Sequence, residues 1–158
     1  MEKFTKYTTS WERPASLEEK TSFTSPWTGE HEPPSHSVPP AIAGKIAETY
    51  GPEIFHRFHQ LLLEAYFTHN RTVSDVDVLA DIAEQAGIDA NEFRQKLEEG
   101  HESLFEAVAN DHNEAMESGV SGVPAVIVDD KYLVGGAVDV DHYRRVIEHS
   151  QAEKAKEQ

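Results

Sequence analysis

The chain has 158 residues, a length that suits one ordinary domain with a single hydrophobic core. Its 29 acidic and 14 basic residues give a formal charge of −15, which argues against proteins that track nucleic-acid phosphates or anionic membranes. Cysteine is absent, which excludes a disulfide framework, a cysteine-ligated metal site, a cysteine nucleophile and a dithiol redox cycle carried by this chain.

Membrane and targeting segments are not indicated by the sequence. No stretch approaches the roughly 20 consecutive apolar residues of a membrane-spanning helix, and the first residues show no apolar signal core. We therefore expect neither nucleic acid nor a membrane among the partners, and we expect a cytoplasmic location.

The first 40 residues predict a strand followed by a long loop. Residues 3–13 set aromatic side chains among threonines and other polar neighbours, which is typical of a strand, and this strand ends at Pro14. Residues 14–40 contain most of the prolines and show no sustained apolar period, so we expect an extended loop there. The apolar residues expected to anchor it are Leu17, Phe23 and Trp27.

Residues 41–100 predict a block of helices separated by short breaks. Pro40 suits the first position of a helix that ends before Gly51. Ser74 and Asp89 are the predicted N-caps of the third and fourth helices. The second helix has a wide apolar face, formed by Ile54, Phe55, Phe58, Leu62, Ala65 and Tyr66.

The last third of the chain predicts a helix, a β-hairpin and a final helix. The first of these helices covers about 102–118 and carries an apolar face. A buried strand over 124–129 then enters an Asp-Asp turn, and 131–134 is the predicted hairpin partner. Asp139 is expected to cap the final helix, and the charged tail over 151–158 is expected to fray.

Residues 115–148, AMESGVSGVPAVIVDDKYLVGGAVDVDHYRRVIE, resemble the C-terminal ββα half of DsbA-like thioredoxin-fold proteins. Residues 51–67 and 70–89 are similar to the helical insertion of the DsbA subgroup that includes FrnE-type disulfide oxidoreductases and 2-hydroxychromene-2-carboxylate isomerases. SWERPASLEE, residues 10–19, resembles the second strand and following loop of the same subgroup. The resemblance implies an α/β protein with an incomplete thioredoxin-like fold of the DsbA type and an all-helical insertion.

The resemblance covers nearly the whole chain and implies a single DsbA-like domain over 1–158. Within that domain we expect a strand and proline-rich loop over 1–40, and the helical insertion over 41–100. A helix and the ββα half would follow over 101–150, before the frayed tail.

Val123 and Pro124 are the substrate-binding residues that the resemblance implies. In the family, the matching position holds a cis-proline that faces the active site, whereas an X-Pro bond without this context is trans in most cases. The exposed backbone of Val123 would pair with an extended peptide or with glutathione, as an added strand would. This predicts a binding site, with no catalytic residue and no cofactor.

The family's reactive element has no match in this sequence. By the resemblance, the first βα unit should carry a Cys-x-x-Cys, or the serine of the isomerases, at a helix N-terminus that lowers the thiol pKa. The nearest substitute is FTSPWT, residues 23–28, in which hydroxyls replace both cysteines. We reject it because too few residues follow Thr28 for the intervening helix and strand, and because Ser25 has no identified base.

Three functional hypotheses remain open. The chain is a disulfide oxidoreductase homologue without dithiol activity that keeps a peptide-facing groove, a glutathione-dependent isomerase-like enzyme using a hydroxyl such as Ser25, or a non-catalytic dimerisation or peptide-binding module. In the thioredoxin fold the first strand lies between the second and third, so its loss leaves an apolar strand edge unpaired. Either residues 3–13 take the central position, or a second copy or another chain supplies a strand there, and we expect homodimer contacts at this edge.

Other chemistry-bearing residues are assigned to the surface. The histidines have no third ligand in fixed register, so we predict no metal site. The pairs Glu18-Glu19 and Glu98-Glu99 are read as surface charge, and Gly135-Gly136 as a turn. Trp11 and Trp27 are expected to bury the long loop. The histidines considered as ligands are His31, His36, His56, His59, His69, His101 and His112, with Asp111.

Overall fold

The computed structural model describes Thr8, Trp11, Ser16 and residues 31–156. The chain divides into two compact units, unit 1 over Met1–Val108 and unit 2 over Ala109–Gln158. The prediction of a single domain over 1–158 stays a prediction.

The described residues 31–156 contain six helices and two strands. A helical block comes first, then a long helix, a hairpin and a last helix, which is the order predicted from the sequence. The elements are α1 (Val38–Glu48), α2 (Pro52–Phe67), α3 (Val76–Ala86), α4 (Ala90–Glu99), α5 (His101–Glu117), β1 (Ala125–Val128), β2 (Tyr132–Gly135) and α6 (Val140–Lys154).

Helix α1 begins earlier than the sequence predicted. It starts at Val38, so that Pro39 and Pro40 lie in its first turn rather than at the end of the loop. Proline is tolerated there because the first N–H groups of a helix have no intrahelical acceptor. The predicted loop over 14–40 is therefore wrong in its last three residues.

The predicted caps of α3 and α4 have different outcomes. Ser74 is not the cap of α3, because Asp75 takes this position and its carboxylate accepts the N–H of Asp77 at 2.8 Å. The Ser74 hydroxyl instead accepts the N–H of Ser35 at 3.1 Å. Asp89 is confirmed as the cap of α4, where it accepts two backbone N–H groups at 2.9 Å.

Unit 1 is held together by a continuous apolar core among its described helices. Helix α1 packs against α2, α3 and α4, and α3 packs against both α2 and α4. The rings of Phe58 and Phe93 lie 6.4 Å apart at its centre. The predicted face of α2 is confirmed, since its members are buried or pack against the core. The core side chains are Ala43, Ile46, Ala47, Phe58, Ala65, Val73, Leu79, Ala80, Ile82, Ala83, Ala86, Ile88 and Phe93.

Unit 2 contains an antiparallel hairpin and the helix α6, which packs against β1. The register runs from Ala125 opposite Gly135 to Val128 opposite Tyr132, so β2 begins one residue later than predicted. The predicted Asp-Asp turn is confirmed: Asp129 and Asp130 both have positive φ angles, 61° and 54°. This left-handed pair forms a tight turn, which the N–H of Lys131 closes by donating to the carbonyl of Val128 at 3.2 Å.

Two predictions for unit 2 are wrong. The strand predicted as buried is half-exposed in this structure, with Val126 and Ile127 at 40% and 42% exposure. The tail predicted to fray from 151 is helical as far as Lys154. It stays ordered because Glu153 and Lys154 bind side chains at the hairpin turn.

Most of the N-terminal predictions concern positions outside the described residues. Within the strand predicted over 3–13, the structure describes Thr8 and Trp11, and both have helical rather than extended conformations, so the prediction is wrong at these two positions. The Trp11 ring packs on Tyr66 and Phe67, with centroid distances of 5.5 and 4.9 Å.

Candidate functional site

The predicted binding residues lie in the segment between α5 and β1. Helix α5 ends near Gly119, whose φ of 83° turns the chain away from the helix. The Val123–Pro124 bond is cis, the geometry that the resemblance implies. Val123 is 92% exposed, and among the described residues nothing forms a hydrogen bond with its backbone.

The hairpin register shows which backbone groups of β1 face away from β2. The N–H of Gly136 donates to the carbonyl of Pro124 at 2.8 Å, so Pro124 is turned toward β2. In an antiparallel pair, the residues that bond the partner strand alternate with residues whose N–H and C=O point to the other side. With this register, the backbone groups of Ala125 and Ile127 point away from β2.

Val123, Ala125 and Ile127 together form an edge with which no described strand pairs, named here the β1 edge. Among the described residues the sheet has two strands, so no third strand pairs with this edge. All three residues are uncharged and none is a lysine or proline, the residues that proteins commonly use to block edge pairing. The β1 edge therefore offers backbone donors and acceptors at a two-residue spacing.

A polar clamp at the hairpin turn keeps β1 and β2 against α6. Asp129 accepts the Ser150 hydroxyl at 2.6 Å and also accepts the ammonium of Lys154. Glu153 of α6 accepts the ammonium of Lys131, just before β2, at 2.5 Å, and also accepts the hydroxyl of Tyr132 in β2. These contacts fix the turn to the last two turns of α6.

The clamp shifts the pKa values of its members. Hydrogen bonds from Lys154 and Ser150 lower the pKa of Asp129, and those from Lys131 and Tyr132 lower the pKa of Glu153. The bond to Glu153 raises the pKa values of Lys131 and Tyr132. Each shift favours the protonation state that forms these bonds: ionised Asp129 and Glu153, and protonated Lys131 and Tyr132. The cluster therefore stabilises the structure and is not a proton-transfer site.

The histidines do not form a cluster. Among the described residues, no three histidine, aspartate or glutamate side chains come together in a way that could hold a metal ion. His59 stacks on the Phe55 ring within α2, and the Nε2 atom of His69 lies 3.4 Å from Oε1 of Glu64. The remaining candidates, His31, His36, His56, His101, Asp111 and His112, are exposed.

Several sequence candidates lie outside the described residues, namely Glu18, Glu19, Phe23, Ser25, Trp27 and Thr28. The hydroxyl hypothesis built on Ser25 therefore stays a prediction. Glu98 and Glu99 are exposed at the end of α4, where Glu99 accepts the side-chain N–H of Gln95. No helix within the described ranges is long and apolar enough to cross a membrane.

The sequence profile of the DSBA-like thioredoxin domain matches residues 46–148, which is most of the chain and includes α2 to β2 and the first half of α6. The chain belongs to the DsbA-like thioredoxin family. The fold class predicted from the sequence, an α/β thioredoxin-like fold with a helical insertion, is thereby confirmed. Assignment to the FrnE or isomerase subgroup stays a prediction.

Among its curated relatives, the chain is 27% identical over 144 residues to the ClpXP adapter protein SpxH of Bacillus subtilis (strain 168), an alignment that covers 87% of this chain and 48% of that protein. It is 32% identical over 113 residues to the protein of the same name from Halalkalibacterium halodurans, covering 71% and 36%. The uncharacterized protein YwbO of Bacillus subtilis is 26% identical over 99 residues, covering 63% and 48%. The alignments therefore span about half or less of the length of these relatives.

Proposed function

We propose that this DsbA-family chain binds an extended segment of another protein at the β1 edge and performs no thiol–disulfide exchange of its own. The absence of cysteine from all 158 residues carries the second half of the proposal, because exchange requires a thiolate. Two observations support the first half: Val123 is exposed, and among the described residues nothing bonds its backbone and no strand pairs with the outer side of β1.

Strand addition is the binding mode that this edge favours. An added strand obtains its affinity from main-chain hydrogen bonds, and its specificity comes from pockets for alternate side chains. The β1 edge supplies outward groups at Ala125 and Ile127, a spacing that matches the repeat of an extended peptide, and the exposed Val123 lies two residues before them. Because the chain carries a net charge of −15, a segment with flanking lysines or arginines is the favoured partner.

The relatives suggest the biological setting of such binding. Two of the three aligned proteins carry the name ClpXP adapter protein, and an adapter acts by contacting other proteins. We infer that this chain acts as a ClpXP adapter, with the β1 edge as one of its protein-binding surfaces. Glutathione at the same edge and a homodimer that shares strands there are the alternative occupants.

The decisive experiment compares two proline variants, each of which removes one outward-pointing backbone N–H, one from each edge of the hairpin. Ile127→Pro removes an N–H from the β1 edge, and Leu133→Pro removes the matching N–H from the far side of β2. The probe is a seven-residue peptide of alternating valine and threonine with a lysine at each end, followed by amide chemical shifts. We expect Ile127→Pro to weaken binding about tenfold, through one lost hydrogen bond and a steric block, with Leu133→Pro within about twofold of the parent.

Equal effects of the two variants would contradict the assignment to the β1 edge. Shifts at the amides of Val123, Ala125 and Ile127 on adding reduced glutathione, without shifts on adding the peptide, would favour the glutathione alternative. A dimer in light scattering that becomes a monomer in Ile127→Pro would show that a second copy occupies the edge.

The adapter inference has its own test. Purified chain immobilised on a sensor surface is expected to bind purified ClpXP, and insulin reduction by the same preparation is expected to stay at the background rate. Peptide binding without ClpXP binding would remove the adapter assignment and leave the peptide-binding proposal standing. Measurable turnover in insulin reduction would contradict the non-catalytic half of the proposal.

A further inference from the structure

Unit 1 contains a cavity of about 470 Å³ that was not predicted from the sequence. Its volume falls within the range of about 300–1,000 Å³ that is usual for small-molecule sites. One wall is the C-terminal half of α2, and the opposite wall is the segment before α1. Two hydrogen bonds fasten that segment: the Ser35 N–H donates to Ser74 Oγ at 3.1 Å, and the Thr72 hydroxyl donates to the Glu32 carbonyl at 2.6 Å.

The walls of the cavity differ in polarity. The α2 wall presents Leu62, Leu63, Tyr66 and Phe67, with Val73 at its base. Apart from the Tyr66 hydroxyl, the polar groups among the described lining residues belong to the three consecutive positions Ser35, His36 and Ser37, and all three are exposed. Among the described lining residues there is no aspartate, glutamate, lysine or arginine, although 27% of the chain consists of these residues.

Ser37 has a hydroxyl group that its own helix does not use. It is the N-cap residue of α1, where serine normally accepts a hydrogen bond from the N–H of the second or third helical residue. Those two residues are Pro39 and Pro40, which have no N–H, and Ser37 forms no side-chain cap bond. Its hydroxyl therefore lies at the cavity mouth without an intrahelical partner.

We propose that this cavity binds an uncharged amphiphile, whose apolar body lies along Leu62, Leu63, Tyr66 and Phe67 and whose single hydroxyl or amide group bonds Ser37. An ionised ligand is disfavoured because no lysine or arginine among the described lining residues would compensate for its desolvation. The site lies wholly within unit 1 and does not depend on the function proposed for the β1 edge.

The first measurement uses the neutral fluorophore N-phenyl-1-naphthylamine with the full chain. We expect a saturable rise in fluorescence, displaced by 1-octanol at concentrations at least tenfold below those needed with sodium octanoate. Failure of the fluorophore to bind would overturn the site. Equal displacement by the alcohol and the carboxylate would overturn the uncharged class of ligand.

Two exposed apolar residues provide a matched pair of variants. Leu63→Glu places a carboxylate in the lining, whereas Val76→Glu places one at the start of α3, outside the cavity; the two residues are 43% and 42% exposed. We expect Leu63→Glu to weaken fluorophore binding about tenfold and Val76→Glu to change it less than twofold. Equal loss in both variants would mean that the dye reports on the general surface, which contradicts the proposal.

Ser37→Ala tests the polar end of the ligand. We expect an unchanged unfolding midpoint, because the hydroxyl caps nothing, and about fivefold weaker competition by 1-octanol from the loss of one neutral hydrogen bond. Unchanged competition by 1-octanol would remove Ser37 from the site. A lowered unfolding midpoint would contradict the view that its hydroxyl has no structural role.

Discussion

The two units of this protein bury apolar side chains to very different extents. Unit 1 has a continuous core of fully buried residues centred on Phe58 and Phe93. In the described part of unit 2, Val134 is the one large apolar side chain that is buried. The exposed apolar residues of unit 2 are Met116, Val123, Val126, Ile127, Leu133, Val140 and Ile147. The helical unit therefore completes a core from its own elements, whereas the hairpin unit leaves most of its large apolar side chains exposed.

Polar contacts take the place of apolar packing in unit 2. The hairpin turn is fixed to α6 through Asp129, Lys131, Glu153 and Lys154, all on the surface. Surface ion pairs contribute little individually, typically about 0–1 kcal/mol. A hairpin held in this way keeps its geometry and still leaves β1 available to a partner.

The largest expected effect comes from truncating the core of unit 1. Phe58→Ala removes a fully buried ring that contacts Phe93, and we expect a loss of about 3–5 kcal/mol in the free energy of unfolding. Val126→Ala in β1 removes a half-exposed side chain and should cost less than about 1.5 kcal/mol. Urea denaturation followed by circular dichroism measures both, and similar losses would contradict the contrast between the units.

Capping gives a smaller effect that separates α4, which Asp89 caps, from α1, whose N-cap residue Ser37 forms no side-chain cap bond. Asp89→Ala removes the acceptor of two N–H bonds at the start of α4 and should cost about 1 kcal/mol. Ser37→Ala removes a hydroxyl that caps nothing and should leave the free energy of unfolding unchanged. If both substitutions were neutral in urea denaturation, the cap bonds of Asp89 would have no role in stability.

Much of the fold follows from the sequence, for reasons that are visible at particular residues. The face of α2 around Phe58 repeats with the helical period, and Asp89 precedes an apolar run with the spacing of a cap, so local chemistry identifies both. Ser74 misled the prediction because two adjacent residues, Ser74 and Asp75, can both cap, and only the tertiary bond from Ser35 decides between them.

The site was less accessible to sequence reasoning. Val123 and Pro124 were found through resemblance to a family, since the dipeptide alone predicts a trans bond. The cavity of unit 1 was missed because Leu62 and Tyr66 belong to a stripe whose helical period is typical of core residues, and nothing in the local sequence indicates a cavity beside them. The helical end of α6 was missed because its bonds reach residues more than 20 positions away.

Acid should break the polar clamp of unit 2 by protonating its two carboxylates. The pKa values of Asp129 and Glu153 are lowered in the folded state, so their contribution is present above the unfolded values of about 4 and is lost as pH falls through the lower, folded values. We expect the β1 and β2 amide signals to lose their folded positions between about pH 4 and pH 2, as measured by NMR.

Two glutamine variants on α6 test the cause of this acid sensitivity. Glu153→Gln removes one of the shifted carboxylates, so the transition should become shallower. Glu148→Gln, on the same helix, removes an exposed carboxylate with no ion pair among the described residues and should leave the transition unchanged. A transition that is the same in both variants and the parent would show that Glu153 does not contribute to it.

The smallest expected effect, at the hairpin turn, separates backbone conformation from side-chain bonding. Asp129 and Asp130 both lie in the left-handed region, where glycine is favoured over residues with a Cβ. Asp130→Gly should stabilise unit 2 by roughly 0.5 kcal/mol, because easier left-handed geometry outweighs the greater freedom of the unfolded chain. Asp129→Gly makes the same backbone change but loses the bonds from Ser150 and Lys154, so it should destabilise the hairpin. Amide hydrogen exchange at Val134 reads out both variants, and shifts of the same sign would mean that the backbone, rather than the clamp, controls this turn.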